Sequence, residues 1–277
     1  MENSGIFAFS VLLVTGFISY KGMTDPRYFD RYSFQIDGIL VHKEYKRLIS
    51  SGFLHSGWMH FIFNMLAMYS FSGPLESALG IGPLLGLYFG SLIGGNLLAL
   101  YIHRNHADYT AVGASGAVTG MVFAAIALFP GMQLGLLFLP FHLPSWAFGL
   151  LYVLYCIYGI RSQRDNIGHE AHLGGGLIGM AIAIAIFPQV LWLNYVPVLL
   201  VAIPSVVFLY FIFTRPDFLL VDNPFGKNRG FSTVEDRYNT QKRSNQKKLD
   251  ALLDKINNAG IESLSKEEKE DLEKLSK

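Results

Sequence analysis

The sequence predicts an all-α polytopic membrane protein. About half of the 277 residues are apolar and mean hydropathy is +0.34. Only 16% of residues are charged, low for a soluble domain. The charges are also unevenly placed: 57–75, 112–160 and 171–214 contain no Lys, Arg, Asp or Glu. A hydrocarbon core asks for roughly 20 apolar residues per helix, and the chain supplies about seven such segments.

The spans are expected at about 5–20, 57–73, 83–102, 113–129, 145–160, 171–187 and 195–214. The N-terminus, Met-Glu-Asn-Ser, has neither a basic n-region nor an Arg-rich, acid-poor transit composition, so 5–20 is expected to be a retained span. The long stretch 21–56 mixes charges with Tyr28, Phe29, Tyr32, Phe34, Tyr45 and Phe53, which suits a loop lying at the membrane–water interface. Trp58, Trp146 and Trp192 fall near span ends as interfacial anchors. The single Cys156 excludes an internal disulfide and reads as a small packing residue.

After Arg215-Pro216 the composition changes. Residues 215–277 hold 13 of the 22 Lys and Arg. Leu249, Leu252, Leu253 and Ile256 recur at helical spacing, and Gly260 is placed to stop that helix. Ser265-Lys266-Glu267-Glu268 fits a capping box, opening a second helix through Leu272 and Leu275. The expected division is therefore 1–190 as a six-span core, 191–214 as a seventh transmembrane helix and 215–277 as a small soluble helical tail. The tail serves either solubility or docking of a partner. Net charge is +1, and no nucleic-acid partner is expected.

The chemistry-bearing residues form three groups. Gly113-Ala114-Ser115-Gly116 opens the fourth span. Ala171-His172-x2-Gly175-x3-Gly179 opens the sixth. A serine needs a base to become a nucleophile, and histidine is the usual one. His172, Gly175, Gly176 and Gly179 fall on one helix stripe with the imidazole at its head. Gly116 and Gly120 form a matching pair beside Ser115, so the two helices are expected to pack closely. His60 and Asn64, one turn apart in the second span, share a face. Polar groups in a span are expensive and usually functional, and acyl transfer needs donors aimed at a developing oxyanion. No Asp or Glu lies in a span near Ser115 or His172, which favours a Ser–His dyad over a triad.

Together, His55-x4-His60-x3-Asn64, Glu76-x3-Gly80, Gly113-Ala114-Ser115-Gly116 and Ala171-His172-x2-Gly175-x3-Gly179 resemble the rhomboid intramembrane serine proteases. The match covers roughly residues 5–187. The resemblance implies a six-helix core cleaving transmembrane protein substrates near a surface of the lipid bilayer, without cofactor or metal. Ser115 resembles the nucleophile and His172 its general base. His60, Asn64 and the Ser115 backbone N–H resemble the oxyanion hole. Gly113, Gly116, Gly175 and Gly179 resemble the structural glycines. One position departs: the family often carries Tyr four residues after the serine, stacked on the base, and here Thr119 stands there. His55 is expected to anchor the loop to the second span, and His103 and His106 to be interfacial loop residues. His169-Glu170-Ala171-His172 lacks the HExxH spacing of a helical zinc site.

With seven spans, all 22 Lys and Arg fall on one side. The positive-inside rule would make that side cytoplasmic, whereas the resemblance places the catalytic mouth, on the same side, outside the cytoplasm. For 21–187 the expectation follows the resemblance, since acidic residues accompany the cations of the long loop. The compact form suggests a bacterial cytoplasmic membrane. Two other functions fit a polytopic chain. A catalytically inactive rhomboid-like chaperone or adaptor that binds transmembrane helices is disfavoured by retention of both Ser115 and His172. A small-molecule transporter would call for internal repeats or paired broken helices, which the chain lacks.

Overall fold

A computed structural model describes residues 5–135, 142–162, 165, 167–214 and 234–275. Its long helices are α1 (Ile6–Thr24), α5 (Trp58–Leu79), α6 (Ile81–Ile102), α7 (Ser115–Leu128), α8 (Ser145–Ser162), α9 (His169–Ile186) and α11 (Tyr195–Thr214). They fall on the seven expected spans. By length and composition α1, α6, α9 and α11 can cross a bilayer, and α7 is a shorter apolar helix. The protein is thus an all-α, multi-pass membrane protein. Helices α5 and α8 are more polar, with His60, Asn64, Ser70, Ser72 and Glu76 on one and three tyrosines and Arg161 on the other.

The middle of the bundle is α7, of which every residue from Gly116 to Ala127 is buried. Helix α9 packs on it backbone to backbone, and α6 flanks both, meeting Gly120 of α7 through the Ser91 side chain. A Cβ on Gly175 would overlap the Gly116 carbonyl, and one on Gly179 would overlap the Gly120 carbonyl. A Cβ on Gly95 of α6 would meet the Ala171 carbonyl of α9. Apolar helices gain no hydrophobic drive from leaving lipid, so close van der Waals contact has to hold them. Gly149 of α8 faces Ile126 of α7 and Val201 of α11, bringing those helices in from the other side. Outward faces stay apolar and exposed, as at Phe9, Leu13 and Phe17 of α1 and Ile203, Val206 and Tyr210 of α11.

The stretch 21–56 is more ordered than an interfacial loop. It holds α2 (Pro26–Tyr32), β1 (Phe34–Gln35), α3 (Ile36–Leu40), α4 (Arg47–Ser50) and a 3-10 turn at Ser51–Phe53. Asp25 caps α2, accepting from the Arg27 and Tyr28 N–H groups, as an N-cap carboxylate should. Buried Arg47 ties the layer together, donating to the Asp30 and Ser33 carbonyls at 2.6 and 2.8 Å and to Glu44 at 2.6 Å. That guanidinium holds the Glu44 carboxyl below its ordinary range. Strand β1 pairs antiparallel with β2 (Thr110–Ala111), and the Ser51 carbonyl accepts from the Gly113 N–H at 3.0 Å. The layer therefore sets the entry of α7.

A second ribbon, β3 (Gln133–Gly135) with β4 (His142–Pro144), joins α7 to α8. The short α10 (Val190–Leu193) leads into α11. The stretch 215–233 lies outside the described residues. Beyond it, α12 (Val234–Ala259) and α13 (Lys266–Leu275) form the expected hairpin. Gly260 takes φ +77 at the stop. Ser265 and Glu268 exchange the two bonds of a capping box, at 2.7 and 3.2 Å. Lys255 on α12 reaches Glu268 at 2.8 Å, and with the Ser265 N–H it holds that carboxyl below its usual range. Lys242 of α12 lies 3.8 Å from Asp37 of α3, so the tail meets the 21–56 layer.

Candidate active site

Ser115 is the first residue of α7. The first N–H groups of a helix have no intrahelical acceptor, and the helix dipole adds positive potential there. Gly113 stands just before, at φ +129, a conformation that costs an L-residue dearly. A Cβ at Gly113 would also sit 2.8 Å from the His60 imidazole and 3.6 Å from Ser115 Oγ. The glycine therefore lets the edge of His60 come close to the serine.

His172 sits in the first turn of α9 and is 8% exposed. Its Nε2 lies 2.7 Å from Ser115 Oγ. The glycine seam explains the distance: Gly116 and Gly175, one residue and three residues beyond the pair, let the two backbones touch. Ser115 and His172 are thus brought together, with Gly113, Gly116, Gly175 and Gly179 all at close approaches.

His60 is held by Ser56 Oγ, 3.0 Å from its Nδ1. If the Ser56 hydroxyl donates, Nε2 keeps its proton and points a donor toward the serine. Asn64 is buried one turn further along α5, and its Nδ2 donates to the His60 carbonyl at 3.0 Å. One of its two amide protons is spent on that bond, leaving the second. His55 ties the loop mainly to α1 and to the entry of α7, reaching the second span only by a ring contact. Its Nδ1 meets Ser19 Oγ of α1 at 2.9 Å, its Nε2 accepts from the Ala114 N–H at 3.5 Å, and its ring packs edge-on against His60.

Two features differ from the sequence expectation. His103 is a buried residue, stacked on Tyr109 with centroids 3.7 Å apart and bonded to Glu170 at 2.9 Å. That bond turns Glu170 away from His172, although only Ala171 separates them. Secondly, support for the base comes from α8. Tyr152 Oη lies 2.9 Å from His172 Nδ1, and the two rings are inclined by 22°. Thr119 lies 3.3 Å from Tyr152 Oη, and its hydroxyl donates to the Ser115 carbonyl at 2.8 Å. The sequence marks Tyr152 only as one of three tyrosines along α8.

Cys156, His169 and His172 bring ligand-type atoms within 4.8 Å of one another. Both nitrogens of His172 are already hydrogen-bonded. A metal there would have to break the serine–histidine arrangement or its Tyr152 support.

Fold and site together define a polytopic helical membrane protein with a Ser–His pair, its histidine buried, under a polar layer. Residues 42–189 match the rhomboid domain family, and residues 232–277 match a family of unknown function. The chain belongs to the rhomboid family. It is 31% identical to Rhomboid protein 1, mitochondrial, of Saccharomyces cerevisiae over 51% of this chain and 43% of that one. It is 34% identical to the rhomboid YdcA of Bacillus subtilis over 49% of this chain and 64% of that one. Rhomboid protease GluP of Bacillus subtilis is 26% identical over 65% of this chain and 33% of that one. The chain spans about half the length of these relatives. They come from both mitochondria and bacteria, so they support a multi-pass membrane protein without singling out the bacterial cytoplasmic membrane.

Proposed function

We propose that the protein is an intramembrane serine endopeptidase that cleaves transmembrane protein substrates with a Ser115–His172 dyad. The observation that carries this reading is the 2.7 Å contact between Ser115 Oγ and His172 Nε2 at two helix starts. Ser115 Oγ attacks the scissile carbonyl while Nε2 takes its proton. The oxyanion develops beside the Ser115 N–H, at the positive end of α7, with His60 and the free Asn64 amide proton as further donors. His172 then protonates the leaving amine, and water releases the acyl group by the reverse proton path. No cofactor enters these steps. In this reading 1–190 is the catalytic core, 191–214 a seventh span and 215–277 an accessory helical hairpin that docks a partner.

The test is labelling of Ser115 by a fluorophosphonate, together with cleavage of a model transmembrane substrate. Wild type should label and cleave. Ser115→Ala and His172→Ala should each lose cleavage by about 10⁴-fold or more, and the double variant should be little worse, because the pair acts as a unit. Normal cleavage by Ser115→Ala would sink the assignment. Substrate binding without labelling or cleavage in wild type would point instead to a helix-binding adaptor.

A further inference from the structure

A dyad leaves one question open in any serine hydrolase: what fixes the tautomer of the base. Ser115 can give its proton to His172 only if Nε2 is bare, so Nδ1 must carry the hydrogen and needs an acceptor. In a triad that acceptor is a carboxylate. Here the nearby carboxylate, Glu170, is engaged by His103. Tyr152 Oη stands at Nδ1 instead, 2.9 Å away.

The direction of the bonds follows from a single group that can only accept. The Ser115 carbonyl takes the Thr119 hydroxyl proton at 2.8 Å. Thr119 Oγ1 then faces Tyr152 Oη with lone pairs, so the hydrogen bond across that 3.3 Å is the tyrosine's to donate, while the Cys156 thiol, which also bonds Tyr152, donates to a lone pair of Oη. With its proton spent there, Tyr152 Oη can only accept from His172, which places the hydrogen on Nδ1. Nε2 is left bare for Ser115 Oγ at 2.7 Å. The circuit runs Ser115 Oγ, His172, Tyr152, Thr119 and back to the Ser115 carbonyl, all in one sense. The opposite sense would set two lone pairs against each other between Thr119 and Tyr152.

We infer that Tyr152 and Thr119 are positioning residues that hold His172 in the Nδ1–H tautomer, through a closed ring of hydrogen bonds anchored on the Ser115 carbonyl. The inference rests on the dyad reading above. The ring does the orienting work of a triad carboxylate with neutral groups, which avoids the cost of burying a charge at membrane depth. It also gives Thr119 a task at the position where the family's stacked tyrosine is absent. The aromatic ring is supplied from α8 instead.

The experiment uses the full-length protein in detergent with a transmembrane substrate, comparing Tyr152→Phe, Thr119→Val, Thr119→Ser and Tyr152→Phe/Thr119→Val with wild type and Ser115→Ala. Tyr152→Phe keeps the ring and removes only the acceptor. Its kcat should fall roughly 10- to 1000-fold, below the roughly 10⁴-fold that a triad loses with its carboxylate. KM and thermal unfolding should stay near wild type. Thr119→Val should lose roughly 3- to 10-fold in kcat, Thr119→Ser clearly less, and the double variant should fall no lower than Tyr152→Phe, as expected of members of one unit. Wild-type kcat in Tyr152→Phe, with Ser115→Ala dead, would overturn the ring and leave the dyad standing. Additive losses in the double variant, or a loss residing in KM, would also overturn it. An active Ser115→Ala would remove the dyad itself. If Tyr152→Phe does not fold, the Val and Ser variants at Thr119 carry the same decision.

Discussion

The serine helix meets two of its neighbours in the site by different means. Against α9 the contact is backbone to backbone, with Gly175 on the Gly116 carbonyl and Gly179 on the Gly120 carbonyl. Toward α8 the site is joined side chain to side chain, through Tyr152 and Thr119. The first seam has no side chain that can yield, so it sets how far Ser115 stands from His172. The second depends on hydroxyls and a ring that turn about single bonds, so it sets orientation. A membrane protein can have both because glycine contacts supply close packing, while a few satisfied polar groups supply direction.

The sharpest way to break the comparison is Gly179→Val. The branched side chain would run into the Gly120 backbone, and neither helix can yield by rotating a side chain. We expect activity to vanish and stability to fall by about 3 kcal/mol, read as cleavage and as thermal unfolding in detergent. Wild-type melting and turnover in this variant would mean that the seam does not bear on the active pair.

Asn64→Ala tests the third side, where α5 faces the serine without a glycine seam. Asn64 already donates to the His60 carbonyl, so the variant removes one local bond as well as the proposed oxyanion donor. Turnover should drop by roughly ten- to a thousandfold, with a smaller change in substrate binding. Loss confined to binding, at full turnover, would take Asn64 out of the oxyanion hole.

The smallest effect is expected furthest from both seams. A chain ending after Thr214 should hydrolyse peptide in detergent as the full chain does, because the proposed catalytic residues all precede Phe187. The helical hairpin of the full chain is tied to the layer over the site by Lys242 and Asp37, a half-buried pair 3.8 Å apart and of little energetic weight. Equal hydrolysis in detergent with weaker cleavage in cells would support docking. A folded truncation that no longer hydrolysed peptide would put the functional boundary beyond Thr214.

Much of the site can be read along the chain because its main residues repeat within single helices. His60 and Asn64 lie one turn apart, and His172 heads its own glycine stripe. The capping box at Ser265 and Glu268 is equally local. What stayed hidden runs between elements. Tyr152, Tyr155 and Tyr158 share one helix, and no periodicity tells which of them turns toward α9. Ser56 precedes its helix and becomes meaningful only where His60 Nδ1 meets it. Arg47 is one cation among six in a charged stretch until the carbonyls of Asp30 and Ser33 close around it.

The order of apolar and polar segments, by itself, placed the long helices and the tail hairpin, and short motifs with one-turn spacing marked the candidate serine, histidines and asparagine. Hydropathy and one-turn spacing are properties of a chain that each helix expresses alone. The tertiary structure alone decided which hydroxyl serves which imidazole. It turned Glu170 toward His103 and gave Tyr152 to His172, and it made Thr119 a link between α8 and the serine. Hydrogen-bond direction depends on which groups face each other across a helix contact, and that is settled only when the backbones of α7 and α9 have closed on their glycines.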